Sequence, residues 1–228
     1  MTMPVLQPTH HPADEHLLDY AAGAASEGLA LLLATHLTLC PECRRKAAAM
    51  EQLGGTLIEE LPPAAIAADA RERCLALLDA PEPAAESRSA VTAVTNPVSA
   101  APLLPRALRD RVGGDIDTLR WSPVLRGVDQ ALLVEGPGGA RTRLMRIRAG
   151  HAVPQHTHRG TEFVCVLAGG FSDLSGHFGR GDVAVSDESV DHQPTADADG
   201  DCICLAVTEA PVRLTGRFWR LLNPFVRF

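Results

Sequence analysis

Histidines and cysteines fall in two clusters at metal-ligand spacing. In the first, His36, Cys40 and Cys43 stand four and three residues apart, with His10 and His11 upstream. Where one helix ends and another begins, these three side chains can face a single point. Zinc favours four nitrogen or sulfur ligands in a tetrahedron. A fourth ligand must therefore come from elsewhere, and His10 or His11 can supply it. Thiolates at the start of a helix gain from its dipole, which favours metal over proton. In the second cluster, His156, His158 and Glu162 have the same parity. On extended chain all three point to one face, and that face, turned inward, makes a metal site suited to sensing or to catalysis.

The elements that must position these residues differ between the two halves of the chain. Residues 14–79 read as helical. Asp14 is placed to cap a short helix carrying Leu17, Leu18 and Tyr20 and ending near Gly23. Ser26 can cap the next, with Leu29, Leu32, Leu33, His36 and Leu37 on one face. Leu31 and Leu39 widen its apolar surface beyond one stripe, so it is buried on most sides, by its own bundle or in part by a partner. Pro41 suits the first position of a third helix, with Met50, Leu53, Leu57 and Ile58 on one face. A fourth helix covers residues 69–79. This helical domain takes in residues 1–80.

Residues 81–105 lose all periodicity. Pro81, Pro83, Pro97, Pro102 and Pro105 lie among Ala, Ser and Thr, the composition of a linker. From 106 to 228 the pattern becomes short strands: Ala131–Glu135, Arg143–Arg148, Thr161–Leu167, Asp182–Ser186 and Asp201–Thr208. Gly-rich turns separate them, as in an all-β sandwich or barrel. On the third of these strands Cys165 alternates with Glu162 and should point away from the metal. Cys202 and Cys204 share a face and read as buried core thiols. His151 and His177 read as surface histidines. The tail from Arg217 to Phe228 is aromatic enough to pack on the barrel or between domains.

Composition narrows the function. At 228 residues with 46% hydrophobic content the chain suits two globular domains. Residues 1–80 carry 5 basic and 11 acidic side chains, whereas residues 106–228 carry 15 of each. The helical domain is thus poorly matched to nucleic acid, whose phosphates need Lys and Arg, and better matched to a basic protein partner. The most apolar run, Gly28 to Cys40, is too short to span a membrane. No signal peptide is evident. The six cysteines form no disulfide framework. A cytoplasmic location is expected.

Two resemblances sharpen this reading. The stretch from His10 to Glu60 is similar to the zinc-binding anti-sigma domain, and closely to its ChrR-type branch. The resemblance is carried by His10-His11, Leu17-Leu18-Asp19-Tyr20-Ala21-Ala22-Gly23, Ala34 to Cys43 and Leu53-Gly54-Gly55. Alignment on Tyr20-Ala21-Ala22-Gly23 implies His11, His36, Cys40 and Cys43 as the zinc ligands. The frame Gly150, His156, His158, Glu162, Gly169 resembles the first cupin motif in full. The second cupin motif implies His192 as a further ligand, although Asp187 and Ser189 replace its usual Pro and Gly. Three imidazoles and a carboxylate can hold zinc, Mn²⁺, Fe²⁺, Ni²⁺ or Cu²⁺; the ChrR resemblance implies zinc.

The expected fold is therefore α + β in two domains: a small zinc-bound four-helix anti-sigma domain, then an all-β cupin (jelly-roll) barrel. The resemblance implies an anti-sigma factor that binds and inhibits an extracytoplasmic-function sigma factor. It further implies release of that factor on oxidative stress, singlet oxygen or organic peroxide, sensed through the cupin domain. No direct nucleic acid, membrane or catalytic residue is expected. The competing expectation is a dioxygenase-like cupin metalloenzyme with a zinc-held helical appendage.

Overall fold

The computed structural model describes residues 7–78 and 102–216. The aromatic tail and nearly all of the 81–105 linker lie outside them. Four helices open the chain: α1 (Asp14–Ala21), α2 (Glu27–Leu39), α3 (Pro41–Glu59) and α4 (Ala70–Leu78). The Ser26 side chain caps α2 by accepting from the Leu29 amide, and Pro41 opens α3. Asp14 does not cap α1. Ala13 holds that position, and the Asp14 carboxylate accepts from Lys46 on α3 at 2.9 Å instead. Helices α1 to α3 pack together, whereas α4 buries none of its side chains.

A fifth helix, α5 (Arg106–Val112), precedes the strands. Leu104, Leu108 and Val112, spaced four apart between Pro102 and the left-handed Gly113, carried its signal. The linker assignment to residue 105 and the all-β reading from 106 overlooked it.

The strands are β1 (Ser122–Leu125), β2 (Val128–Glu135), β3 (Arg141–Ile147), β4 (His156–Thr157), β5 (Glu162–Ala168), β6 (Phe171–Asp173), β7 (Gly176–Phe178), β8 (Val183–Ser186), β9 (Thr195–Ala196), β10 (Cys202–Thr208) and β11 (Arg213–Leu214). Six form an antiparallel sheet in the order β1-β2-β3-β10-β5-β8. The smaller sheets β7-β6-β9 and β11-β4 complete the barrel. Inward residues of both parts, among them Ile147, Val166, Phe171, Phe178 and Cys202, share one core.

The opposite face of the large sheet lies under the helices. Phe163, Cys165, Leu167, Leu205 and Val207 join Leu32, Leu33, Leu104 and Leu108 in a second core. This explains the unbroken apolar runs of β5 and β10: strands covered on both faces need no polar alternation. It also explains the greasy α2, whose cover comes from the barrel and α5 as well as from its own bundle. Gly28 lets α2 approach this closely, because a Cβ there would collide with Thr142 on β3.

Candidate metal centres

Two groups of four potential ligands emerge among the described residues: His11, His36, Cys40 and Cys43, and His156, His158, Glu162 and His192. Within each group the candidate ligand atoms lie within 4.8 Å of one another. The eight ligands expected from the sequence resemblance fall in these two groups, whereas His10, the alternative to His11, falls in neither.

In the first group, Cys40 is both the C-terminal neighbour of α2 and the N-cap of α3, its sulfur accepting from the Cys43 amide. That corner brings the two thiols together, and the last turn of α2 delivers His36. His11 Nδ1 lies 3.4 Å from each sulfur. Nitrogen and sulfur ligands on one tetrahedral zinc sit about 3.5 Å apart, given bonds of about 2.1 and 2.3 Å. The fully buried His36 donates from Nδ1 to the Gly181 carbonyl at 2.8 Å, and its Nε2 has no hydrogen-bond partner. Its lone pair is thus on Nε2. Burial, partly offset by the Gly181 bond, holds the His36 pKa down, so the ring is neutral. Burial and the neighbouring Cys40 push the Cys43 thiol up to about 12. Two thiolates in this setting require a bound cation, which fits a zinc site.

His10 is turned away from that cluster. Its ring lies 4.4 Å from Phe178 and its Nδ1 is 3.3 Å from Asp182. Its backbone joins the barrel edge, with the Val183 amide donating to its carbonyl and its own amide donating to Asp182.

In the second group, β4 and the turn after it carry His156 and His158, Glu162 opens β5, and an isolated bridge sets His192 opposite His156. All four are buried. His156 donates from Nδ1 to the Pro154 carbonyl and His192 from Nδ1 to Asp173, leaving both Nε2 atoms as lone pairs 3.2 Å apart. His158 Nε2 is 3.1 Å from His192 Nε2. The facing lone pairs of His156 and His192 repel at this distance unless a cation lies between them. Burial lowers His156 and His158 to about 4, so both stay neutral and able to ligate. The residues fit a divalent metal, with carbonyl and carboxylate partners fixing the imidazoles from behind.

The cavity at this group is lined by His156, Glu162 and His192, by Arg143 on β3 and Ser186 on β8, and otherwise by apolar side chains. Three functional residues escaped the sequence reading: Asp173, which orients His192, Asp182, which binds the His10 segment, and Arg143. Alternation along β3 was the available signal for Arg143, since it shares the inward face with Met145 and Ile147. Cys165 lies on the helix-facing side, away from the ligands, while Cys204 lines the cavity. His177 is exposed and pairs with Asp197, and the half-buried His151 approaches the Ala149 carbonyl. Neither joins a metal group.

Residues 109–212 match the model of the ChrR Cupin-like domain. Anti-sigma-E factor ChrR of Cereibacter sphaeroides is 41% identical over 220 residues, covering 96% of this chain and 98% of that one. The chain belongs to the ChrR anti-sigma factor family. The crystal structure of Rhodobacter sphaeroides SigE in complex with the anti-sigma ChrR contains a chain 38% identical to it. That match covers 89% of this chain and 100% of that chain, with a TM-score of 0.76. ChrR similarity thus runs through both domains in one order. It identifies a regulator, and the cupin-enzyme alternative has no support in it. No helix among the described residues is long and apolar enough to cross a membrane.

Proposed function

We propose that this chain is a zinc-dependent anti-sigma factor of the cytoplasm. Its helical domain binds an extracytoplasmic-function sigma factor, and its cupin domain makes that inhibition responsive to singlet oxygen or organic peroxide. The observation that carries the reading is an uncovered apolar surface on the helical domain. Leu53 and Leu57 continue one face of α3 beyond Met50, and Leu61 follows just past its end. Together with Ile58, Ile66, Leu75, Leu77 and Leu78 they are exposed, Ile58 at 70% and Ile66 at 82%. Apolar surface of this extent marks a protein interface, and the ChrR structure that this chain resembles is a complex with SigE. The interface therefore lies on the second half of α3 and on α4. The face of α2 around Leu32, a natural first choice from sequence, is taken by the barrel.

Zinc at His11, His36, Cys40 and Cys43 would supply structural cross-linking of the α2–α3 corner to the N-terminal segment. In the barrel, His156, His158, Glu162 and His192 would hold a second divalent ion. Strand β8 joins the two sites. Its Ser186 is paired with Glu162, its Val183 amide binds the His10 carbonyl, and the preceding Gly181 carbonyl holds His36. A displacement of Glu162 is thus four residues of strand away from the segment that carries His11.

The test is Leu57→Asp with Ile58→Asp in the full chain. Zinc content and melting should stay near wild type, because both residues are exposed, while co-purification with the sigma factor and transcription inhibition are lost. Unchanged inhibition would remove this surface from the interface.

A further inference from the structure

Arg143 is a buried charge whose donors are not all used. It is 2% exposed, the largest fully buried side chain of the described residues, and its Nε and Nη1 have no hydrogen-bond partner. Those two nitrogens carry three of the five N–H donors of a guanidinium. A buried charge left in this state is costly unless something answers it. Arg143 lines the same cavity as Glu162, His156 and His192, and neither of its ladder partners, the small Ala206 on β10 or the exposed Leu132 on β2, lines that cavity.

Charge bookkeeping around the cavity points the same way. A divalent ion brings two positive charges and Arg143 one more. Glu162 and the buried Asp173 behind His192 return two negative charges, and an imidazole that ligates the ion is neutral. One positive charge is left over inside an apolar barrel. The cavity volume is about 50 Å³, against the roughly 10–15 Å³ one water needs. That is room for a ligand of a few heavy atoms. Beyond the charged groups its walls are Met145, Val164, Phe171 and Val212, which suit a short aliphatic tail.

We propose that the barrel binds a small aliphatic monocarboxylate, its anionic head against Arg143 beside the metal group and its tail on the apolar wall. A guanidinium is the side chain best matched to a carboxylate. The proposal rests on the reading that the second group holds a divalent metal. Metal analysis reports on that reading, and carboxylate titration reports on this one.

The test uses the full chain with Co²⁺ loaded in place of zinc and acetate and butyrate as probes, read by the visible cobalt spectrum and by calorimetry. Both carboxylates should bind saturably, and neutral acetamide should not. Arg143→Met should weaken acetate about tenfold to a hundredfold, the usual cost of losing hydrogen bonds to a charged group, with the cupin metal retained. Arg143→Lys, which keeps the charge, should fall between. An unresponsive wild-type spectrum and calorimetric trace would overturn the proposal whatever the variants do. So would equal acetate affinity in Arg143→Met, and so would loss of the cupin metal in that variant, which would make Arg143 a structural counter-charge to Glu162.

Discussion

His36 and Gly181 are joined by a 2.8 Å hydrogen bond from Nδ1 to the carbonyl, and this bond turns Nε2 toward Cys40 and Cys43. A zinc ligand of the helical domain is thus oriented by the backbone of the barrel. The next residue, Asp182, accepts from the amides of Thr9 at 2.6 Å and His10 at 2.9 Å, and from its own turn at Gly179. The two domains meet at the metal group that the helical domain was expected to complete alone.

Asp182→Asn should loosen this clamp. An amide cannot accept three N–H donors as a carboxylate does, and hydrogen bonds to charged groups contribute about 1.5–3 kcal/mol each. The expected outcome is a lower melting temperature and faster zinc transfer from the first group to a chelator, with the barrel intact. Burial pushes the Asp182 carboxyl up, but the His10, Gly179 and Thr9 amides outweigh it and hold the pKa below the ordinary range. A carboxylate depressed on folding stabilises above its unfolded value of about 3.9 and loses that contribution as pH falls through the folded one. Zinc transfer in the wild type should therefore quicken in acid below about pH 4 by a component that Asp182→Asn lacks. An Asp182→Asn protein with wild-type melting and zinc transfer would show that the clamp contributes nothing.

His11 and His10 separate in their roles. His11→Ala removes a candidate ligand and should release zinc from the first group. His10→Ala removes a ring packed on Phe178 and leaves the backbone bonds to Asp182 and Val183 in place, so zinc should stay. Metal analysis of the two purified variants decides the matter, and equal zinc retention would refute the assignment of His11.

Much of this arrangement was readable from the sequence, and the unreadable part has a common cause. Local spacing revealed the α2–α3 corner, the strands β2, β3, β5, β8 and β10, and the frame from Gly150 to Gly169. Local spacing also left His10 and His11 open, since neighbours in sequence can face either way. The barrel takes the His10 backbone as an edge, and the His11 ring faces the two thiols. The exposed end of α3, the barrel cover on α2, and the partners Asp173, Asp182 and Arg143 all depend on contacts between distant segments. Alternation along β3 sets Arg143 on the inward face, but its burial depends on the strands paired on either side. The short strands β4, β9 and β11 are two residues each and exist only through pairing.

Cys40→Ser or Cys43→Ser should unfold the helical domain. Both cysteines are buried in the core that holds Leu17, Leu32 and Leu33. Structural zinc supplies roughly 10–16 kcal/mol of apparent binding energy in small metal-folded domains, more than three short helices can lose. Helical circular dichroism should drop and sigma-factor inhibition with it. The barrel core is separate, so the β signal should persist. A folded variant that still inhibits would make the metal dispensable.

The cupin group is expected to govern release rather than binding. The proposed interface on α3 and α4 shares no residue with the barrel, so removing a barrel ligand should leave inhibition in place. Signalling is different, because Glu162 is paired with Ser186 at one end of β8 and the His10 segment is bound at the other. Glu162→Ala and His158→Ala each delete one of the four converging ligand atoms. Target transcription should be read in the same cells before and after singlet oxygen or organic peroxide. Low basal transcription with induction lost is the expected result for both variants. High basal transcription would mean that the second metal group is needed to hold the sigma factor. Normal induction would leave the group a brace for the barrel and place the sensor elsewhere.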